Sequence, residues 1–260
     1  MSKRSLVAWS ILMASLIGVT AQSAIAVPME VVHIIGTSED ANQIAGSSDV
    51  ITAEELEKFE YTDIHRILAS VPGVYLRDED GYGLRPNISI RGTFSDRSGK
   101  ITLMEDGVLI APAPYTASSA YYFPTTGRIN GIEVLKGAAA IENGPYTVGG
   151  AVNLISTPIP SQWGGFVQQE LSSDNGYRLH AAYGGSEERY GLFIEAHTQA
   201  TDGFSDIDNS NRDSGFNKDD LLLKARYNSA DDADTYQQLD LKLQYSEESS
   251  DQTYVGLTEA

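Results

Sequence analysis

The sequence contains no cysteine, which removes disulfide frameworks, thiolate zinc sites, iron–sulfur ligation and cysteine nucleophiles together. Its four histidines are scattered and do not replace them as a metal set. Basic residues are also scarce. Eighteen Lys and Arg stand against 36 Asp and Glu, a formal net charge of −18, which argues against a general nucleic-acid binder. Only one long apolar run occurs, Leu6 to Val19, and it falls short of the roughly 20 residues a bilayer-spanning helix needs. Enzyme signatures are missing: there is no Gly-Lys-Ser/Thr phosphate loop, no Gly-x-Ser-x-Gly elbow and no His-Glu-x-x-His. Gly81-Tyr82-Gly83 reads as a turn. No catalytic residue, cofactor or resident metal is expected. What is present is 24 Gly, 14 Tyr and 41% hydrophobic residues, enough for a core and indicative of a β-dominated chain of one large domain or two smaller ones.

The first residues are a targeting segment. Lys3 and Arg4 precede the apolar run, and Ala24-Ile25-Ala26 supplies small residues at the cleavage positions, so residues 1–26 read as a signal peptide cut after Ala26. An exported, acidic, cysteine-free chain fits the envelope of a Gram-negative bacterium.

The remainder divides near residues 158–165. Before that point the segments are short and mixed. Thr52 and Glu55 form a capping box for a helix from Ala53 to Phe59. A second helix is expected with Thr62 as its cap, Ile64, Ile67, Leu68 and Val71 on one face, and Pro72-Gly73 as its stop. Strands are expected at Val74 to Leu76, Ile88 to Ile90, Ile101 to Met104, Val108 to Ile110, Ile132 to Leu135 and Ala151 to Ile155, with Asp106-Gly107 as a tight hairpin turn. The long connections Arg77 to Asn87, Thr93 to Lys100 and Ala111 to Arg128 are places for binding residues.

After Trp163 the texture changes to long strands with a period of two. Tyr177, Leu179, Ala181 and Tyr183 alternate with Arg178, His180 and Ala182; Tyr190, Leu192, Ile194 and Ala196 alternate with Gly191, Phe193, Glu195 and His197. The pattern repeats in Leu221, Leu223, Ala225 and Tyr227 against Leu222, Lys224 and Arg226, and in Leu239, Leu241, Leu243 and Tyr245 against Asp240, Lys242 and Gln244. Such strands suit a transmembrane β-barrel with aromatic girdles. They suit equally a soluble exported β-sandwich, which would turn the apolar face inward. Residues 163–260 supply about five strands where a bacterial barrel needs about eight, so a barrel requires a longer protein. Thr201 to Lys218 reads as a long outer loop and Gly184 to Arg189 as a shorter turn at the other end. Asp206, Asp208 and Ser210 fall short of a complete calcium loop, and His180 with His197 lacks a third metal ligand.

From about Glu30 to Pro160 the chain resembles the plug of TonB-dependent outer-membrane receptors. The likeness rests on Val50-Ile51-Thr52-Ala53-Glu54-Glu55-Leu56, Val71-Pro72-Gly73-Val74, Ile88-Ser89-Ile90-Arg91-Gly92, Glu105-Asp106-Gly107-Val108, Ile132-Glu133-Val134-Leu135-Lys136-Gly137 and Gly149-Gly150-Ala151-Val152-Asn153-Leu154-Ile155, in that order. Within the family it looks most like ferric dicitrate receptors, through Arg85-Pro86-Asn87, Ala113-Pro114-Tyr115 and Gly144-Pro145-Tyr146-Thr147-Val148-Gly149-Gly150.

The resemblance implies an α+β plug followed by the first antiparallel strands of a transmembrane β-barrel: a signal peptide at 1–26, a TonB box and linker at 27–48, the plug at 49–160 and the barrel's beginning at 161–260. Only Val27 to Gly36 precede the plug-like core, which leaves no room there for a signalling domain. It also implies a receptor, not an enzyme, in the outer membrane of a Gram-negative bacterium. Its partners would be the TonB energy-coupling complex, a ferric chelate such as ferric citrate, and outer-membrane lipid. Other siderophores, haem, cobalamin or a saccharide are alternative cargoes. Glu30-Val31-Val32-His33-Ile34-Ile35 matches the TonB box in place and could add as an edge strand to a periplasmic partner, or be the first strand of the plug sheet. Arg91, Glu133 and Lys136 are the implied plug–barrel contacts; Lys136 stands where Arg is usual, and Gly131 also replaces an Arg, so the contact should be looser. Arg85, Arg97, Tyr115 and Thr116 lie in the connections implied for the outward ligand site, offering cations and hydroxyls to an anionic chelate.

Overall fold

The computed structural model describes residues 33–251 apart from 37, 42–43, 45, 59–60, 111–121, 145–146, 206, 208–212 and 231–234. The signal peptide, Glu30 to Val32, Tyr115, Thr116, Asp206, Asp208 and Ser210 therefore lie outside the described residues.

Two sheets are built from the two textures of the sequence. The first has the order β1 (Ser47–Ile51), β6 (Ile129–Lys136), β7 (Gly150–Ser156), β4 (Ile101–Glu105), β5 (Val108–Leu109), with β4 and β7 parallel and the other pairs antiparallel. β4 and β7 are buried along their whole length, as continuous apolar runs in the middle of a sheet should be. One core contains Ile101, Leu103, Ile132, Val134, Val152 and Leu154 with Ile64 and Leu68 of a helix. A second holds Ile35, Met104, Leu135, Ala140 and Ala151. A separate hairpin, β2 (Val74–Arg77) with β3 (Asn87–Ile90), lends Ile88 and Ile90 to the first core.

Local chemistry fixes the short elements. After α1 (Ser38–Ala41), helix α2 (Ala53–Glu57) carries both arms of the expected box, Thr52 N–H donating to Glu55 at 2.9 Å and Glu55 N–H to Thr52 Oγ1 at 3.3 Å. It stops at Glu57, short of Phe59. Helix α3 (Ile64–Leu68) is capped by Asp63 rather than Thr62, because the Asp63 carboxylate accepts the His65 N–H at 2.8 Å. Asp106 and Gly107 have φ of 49° and 77°, the left-handed pair that a two-residue hairpin between β4 and β5 requires.

The second sheet is a meander, β8 (Gly164–Leu171), β9 (Tyr177–Ser186), β10 (Tyr190–Thr201), β11 (Phe216–Asn228) and β12 (Gln238–Ser250), each antiparallel to the next. Its apolar face is outward: Tyr183, Tyr190, Leu192, Ile194, Leu221, Tyr227, Leu239, Leu241, Leu243 and Tyr245 are all exposed. Its polar face is covered, with Glu195, His197, Lys218 and Asp220 buried. A sandwich would have done the reverse, so the alternation is that of a barrel wall with lipid outside and a filled lumen inside. Among the described residues no helix is long and apolar enough to cross a membrane, which is no constraint on a wall built of strands.

Candidate functional site

The interior face of the meander and the plug sheet meet over a buried network of charges. Arg128, 1% exposed just before β6, forms a bidentate pair with Glu105 of β4 at 2.7 and 3.0 Å and turns its Nε toward Asp220 of β11 at 3.0 Å. Thr125 donates to the same Asp220 at 3.0 Å. Lys242 of β12 reaches Glu105 and, at 2.7 Å, Asp106. Lys224 of β11 stands 3.7 Å from Asp106. Ser156 closes the turn by donating its hydroxyl and its N–H to Asp106. Lys218 donates to the Phe123 carbonyl at 2.9 Å and pairs with Glu248 at 3.2 Å. Beside this network Ile159 packs with Ala182, Phe193 and Leu222 of the wall.

Electrostatics bind the two layers. Burial alone would push the Glu105 carboxyl up, but the Arg128 hydrogen bond and charge, aided by Lys242, hold it below its ordinary value. Burial likewise opposes Asp106, and Lys224 and Lys242 outweigh it. Burial works against the Arg128 guanidinium too, yet Glu105 and Asp220 raise its pKa above normal. Burial pushes the Tyr122 phenol up to about 12, so it stays neutral beside Gln244 of β12. Both carboxyls are depressed, so their stabilisation is complete above their ordinary values of 4.5 and 3.8 and is lost as pH falls through and below them. Plug docking should therefore be insensitive to pH around neutrality and loosen in acid. Protease access to the plug in isolated membranes, followed from pH 7 downward, checks this; loosening on the alkaline side instead would contradict it.

Among the described residues, those expected to join plug and barrel have partners within the plug. Lys136 pairs with Asp49 on β1 and donates to the Pro72 carbonyl at 2.7 Å, so its short-reaching ammonium ties together parts of the plug. Glu133 serves the N-terminal segment: His33 Nδ1 lies 2.9 Å away, and the N–H groups of Ile34, Ile35 and Gly36 donate to it at 2.8, 3.2 and 2.9 Å. Asn153 adds a further bond at 2.9 Å. Arg91 is exposed, lies against Gly137, and makes no ion pair among the described residues. Among the described residues the buried ion pairs between plug and wall are made by Arg128, Glu105, Asp106, Asp220, Lys224 and Lys242. Of these, Lys224 and Lys242 were legible as the polar face of their strands, and Asp106 as a turn.

The expected ligand residues Arg85 and Arg97 lie at one end of the plug. There Tyr82 accepts a hydrogen bond from the Phe204 N–H at 3.2 Å and packs on the Phe216 ring, placing this loop beside the 202–215 connection. Each arginine already faces a carboxylate. Arg85 meets Glu248 of β12 at 2.9 Å with its side chain 32% exposed, and Arg97 meets Glu79 at 2.7 Å with only 13% exposed. His33 to Ile35 are not a strand, and among the described residues the plug sheet begins at β1. His180 and His197 have ring centroids 5.4 Å apart, with His180 bound to Glu195 at 2.8 Å. No cluster able to hold a metal occurs among the described residues.

A plug seated by buried charges on the polar face of a lipid-facing antiparallel sheet defines a plugged-barrel protein of the outer membrane. Residues 40–151 match the TonB-dependent Receptor Plug Domain. Residues 40–151 are a plug domain of that family, and the five-stranded antiparallel sheet that follows is what such a plug is seated against here. The vitamin B12 transporter BtuB of Photobacterium profundum is 31% identical over 158 residues, covering 60% of this chain and 25% of that protein; its Vibrio cholerae counterpart is 26% identical over 159 residues with the same coverage. Among solved structures, the unliganded ferric citrate transporter FecA superposes with a TM-score of 0.69 at 25% identity, covering 86% of this chain and 34% of that one. The siderophore receptor PirA from Acinetobacter baumannii gives 0.63 at 22% identity, covering 85% and 34%. The chain thus spans about a quarter to a third of the proteins it matches.

Proposed function

We propose that this protein is an energy-coupled outer-membrane receptor that binds a ferric chelate, ferric citrate first among them, and passes it to the periplasm when the TonB complex engages residues 30–35. Residues 1–26 would direct export and be removed. The observation that carries the reading is the charge-docked plug against the wall's polar face, an arrangement that must open for cargo to pass. Ferric citrate is favoured by the likeness to the ferric citrate transporter and by Arg85 and Arg97 at the outer-loop end of the plug. Vitamin B12 is the second reading, favoured by the transporters that match 60% of this chain at 26–31% identity. Equilibrium binding of ferric citrate and of cyanocobalamin to membranes containing the receptor separates the two: saturable binding of cobalamin alone would replace the first with the second.

Within this reading Arg85 is the stronger of the two cations, being the more exposed. Arg85→Ala removes a donor and also leaves Glu248 facing the anionic ligand. Ferric citrate affinity should fall about tenfold or more, equivalent to about 1.4 kcal/mol or more, with a smaller loss for Arg97→Ala. An unchanged dissociation constant in both variants would remove this end of the plug from the ligand site.

A further inference from the structure

The N-terminal segment and the barrel wall are held by polar groups that touch one another through the middle of the plug sheet. Glu133 is 1% exposed and Asn153 is fully buried, and the two are register partners on β6 and β7. One Glu133 oxygen receives His33, Ile35 and Gly36; the other receives Ile34 and the Asn153 amide. The Ile35 side chain enters the core with Met104, Leu135, Ala140 and Ala151. Residues 33–36 have no strand pairing, and among the described residues the polar hold on their N–H groups is concentrated on one carboxylate. The other end of Asn153 accepts the Gly107 N–H at 2.9 Å. Gly107 shares its turn with Asp106, whose carboxylate Lys242 and Lys224 hold from the wall.

From this we infer that Glu133 is a latch for the N-terminal segment and that Asn153 connects the latch to the turn at 106–107, so that the segment is docked while the barrel lysines hold Asp106 and freed when they do not. The inference rests on the proposed coupling role of residues 30–35 only for its purpose; the latch itself is a matter of segment mobility. Its logic is concentration. Sheet pairing would distribute the hold over many groups, whereas three consecutive N–H groups and an imidazole converging on one carboxylate are all released by one displacement. Asn153 orients that carboxylate through Oε2 and is in turn oriented by the turn, so a shift of Lys242 is transmitted through three hydrogen bonds, Lys242 to Asp106, Gly107 to Asn153 and Asn153 to Glu133. This is a physical coupling between sites only if the two ends respond to each other.

The absence of cysteine makes an introduced thiol unique in this chain. Nitroxide labels at Ile34→Cys and, as a control, at the exposed Glu142→Cys would be compared in the receptor in isolated outer membranes. Ile34 is half-buried, and cysteine there keeps the N–H that donates to Glu133. Glu133→Gln and Asn153→Ala should each convert the spectrum at residue 34 from restrained to mobile, and Lys242→Gln should do the same from the wall, all without change at residue 142. A spectrum at residue 34 that stays restrained in Glu133→Gln overturns the latch. Mobility in Glu133→Gln without any change in Asn153→Ala or Lys242→Gln overturns the connection, and mobilisation at both labels reduces Glu133 to a support of the plug as a whole. These outcomes are read without transport, so failure of the coupling assignment would appear separately, as uptake indifferent to residues 30–35.

Discussion

Replacing Arg128 by methionine should loosen the plug from the wall at a cost of about 3–5 kcal/mol, the usual consequence of removing one partner from a buried ion pair. Methionine keeps much of the apolar stem and removes the guanidinium. Glu105 and Asp220, 6% and 4% exposed, would then share the same buried space with Lys242 alone compensating Glu105. Among the described residues Arg128 is the one cation that serves both, with Lys242 assisting at Glu105 and the Thr125 hydroxyl at Asp220. Urea titration of plug protection in membranes should show the midpoint fall sharply. The triple variant Arg128→Met, Glu105→Gln, Asp220→Asn should recover much of the loss, since a neutral cluster leaves no charge stranded. A single variant with the wild-type midpoint would mean that the network is a passive by-product of apolar packing around Ile159.

The second large effect is expected at Ile34. Proline there removes the N–H that donates to Glu133 at 2.8 Å and would deny a periplasmic partner one rung of any backbone pairing. Uptake should be abolished, while ligand affinity, set at the other end of the plug, should not move. Ile34→Ala keeps the N–H and should retain most transport. Radiolabelled ferric citrate uptake alongside equilibrium binding makes the comparison. Wild-type uptake by the proline variant would end the assignment of residues 30–35 to energy coupling.

How far the sequence could be read depended on whether a feature is local. The Thr52–Glu55 box, the Asp106-Gly107 turn and the two-residue period of β9 to β12 are each decided within a few residues, and each is where it was expected. β1 was not expected because Ser-Ser-Asp-Val-Ile has no apolar period; pairing with β6 makes it a strand. The cap of α3 fell one residue late because Thr62 and Asp63 are both good caps, and geometry chose the carboxylate. Tertiary partners were the least legible. Nothing near Arg128 in sequence indicates Asp220, and Lys136 looked outward-bound until Asp49 and the Pro72 carbonyl took its ammonium. Family position suggested Arg91, Glu133 and Lys136 for the barrel contact; among the described residues the buried ion pairs with the wall come from the end of β4, the turn after it and the turn before β6.

The outer face of the wall has one more consequence, for the lipid around it. On β11 the apolar stretch runs from Leu221 to Tyr227 with Asp219 next on the same face, and on β12 from Leu239 to Tyr245 with Glu247 next. Each stretch covers six residue steps, about 20 Å along a strand at about 3.4 Å per residue. With a tilt of about 40° the height across the membrane is about 15 Å, well below the roughly 25 Å band of outer-membrane barrels. Acyl chains packed against this sector would have to shorten or splay to keep Asp219 and Glu247 hydrated. The receptor would thus sit in a pinched collar of bilayer on the side nearest its plug connection, and neighbouring lipids and proteins would sort along that thinned edge.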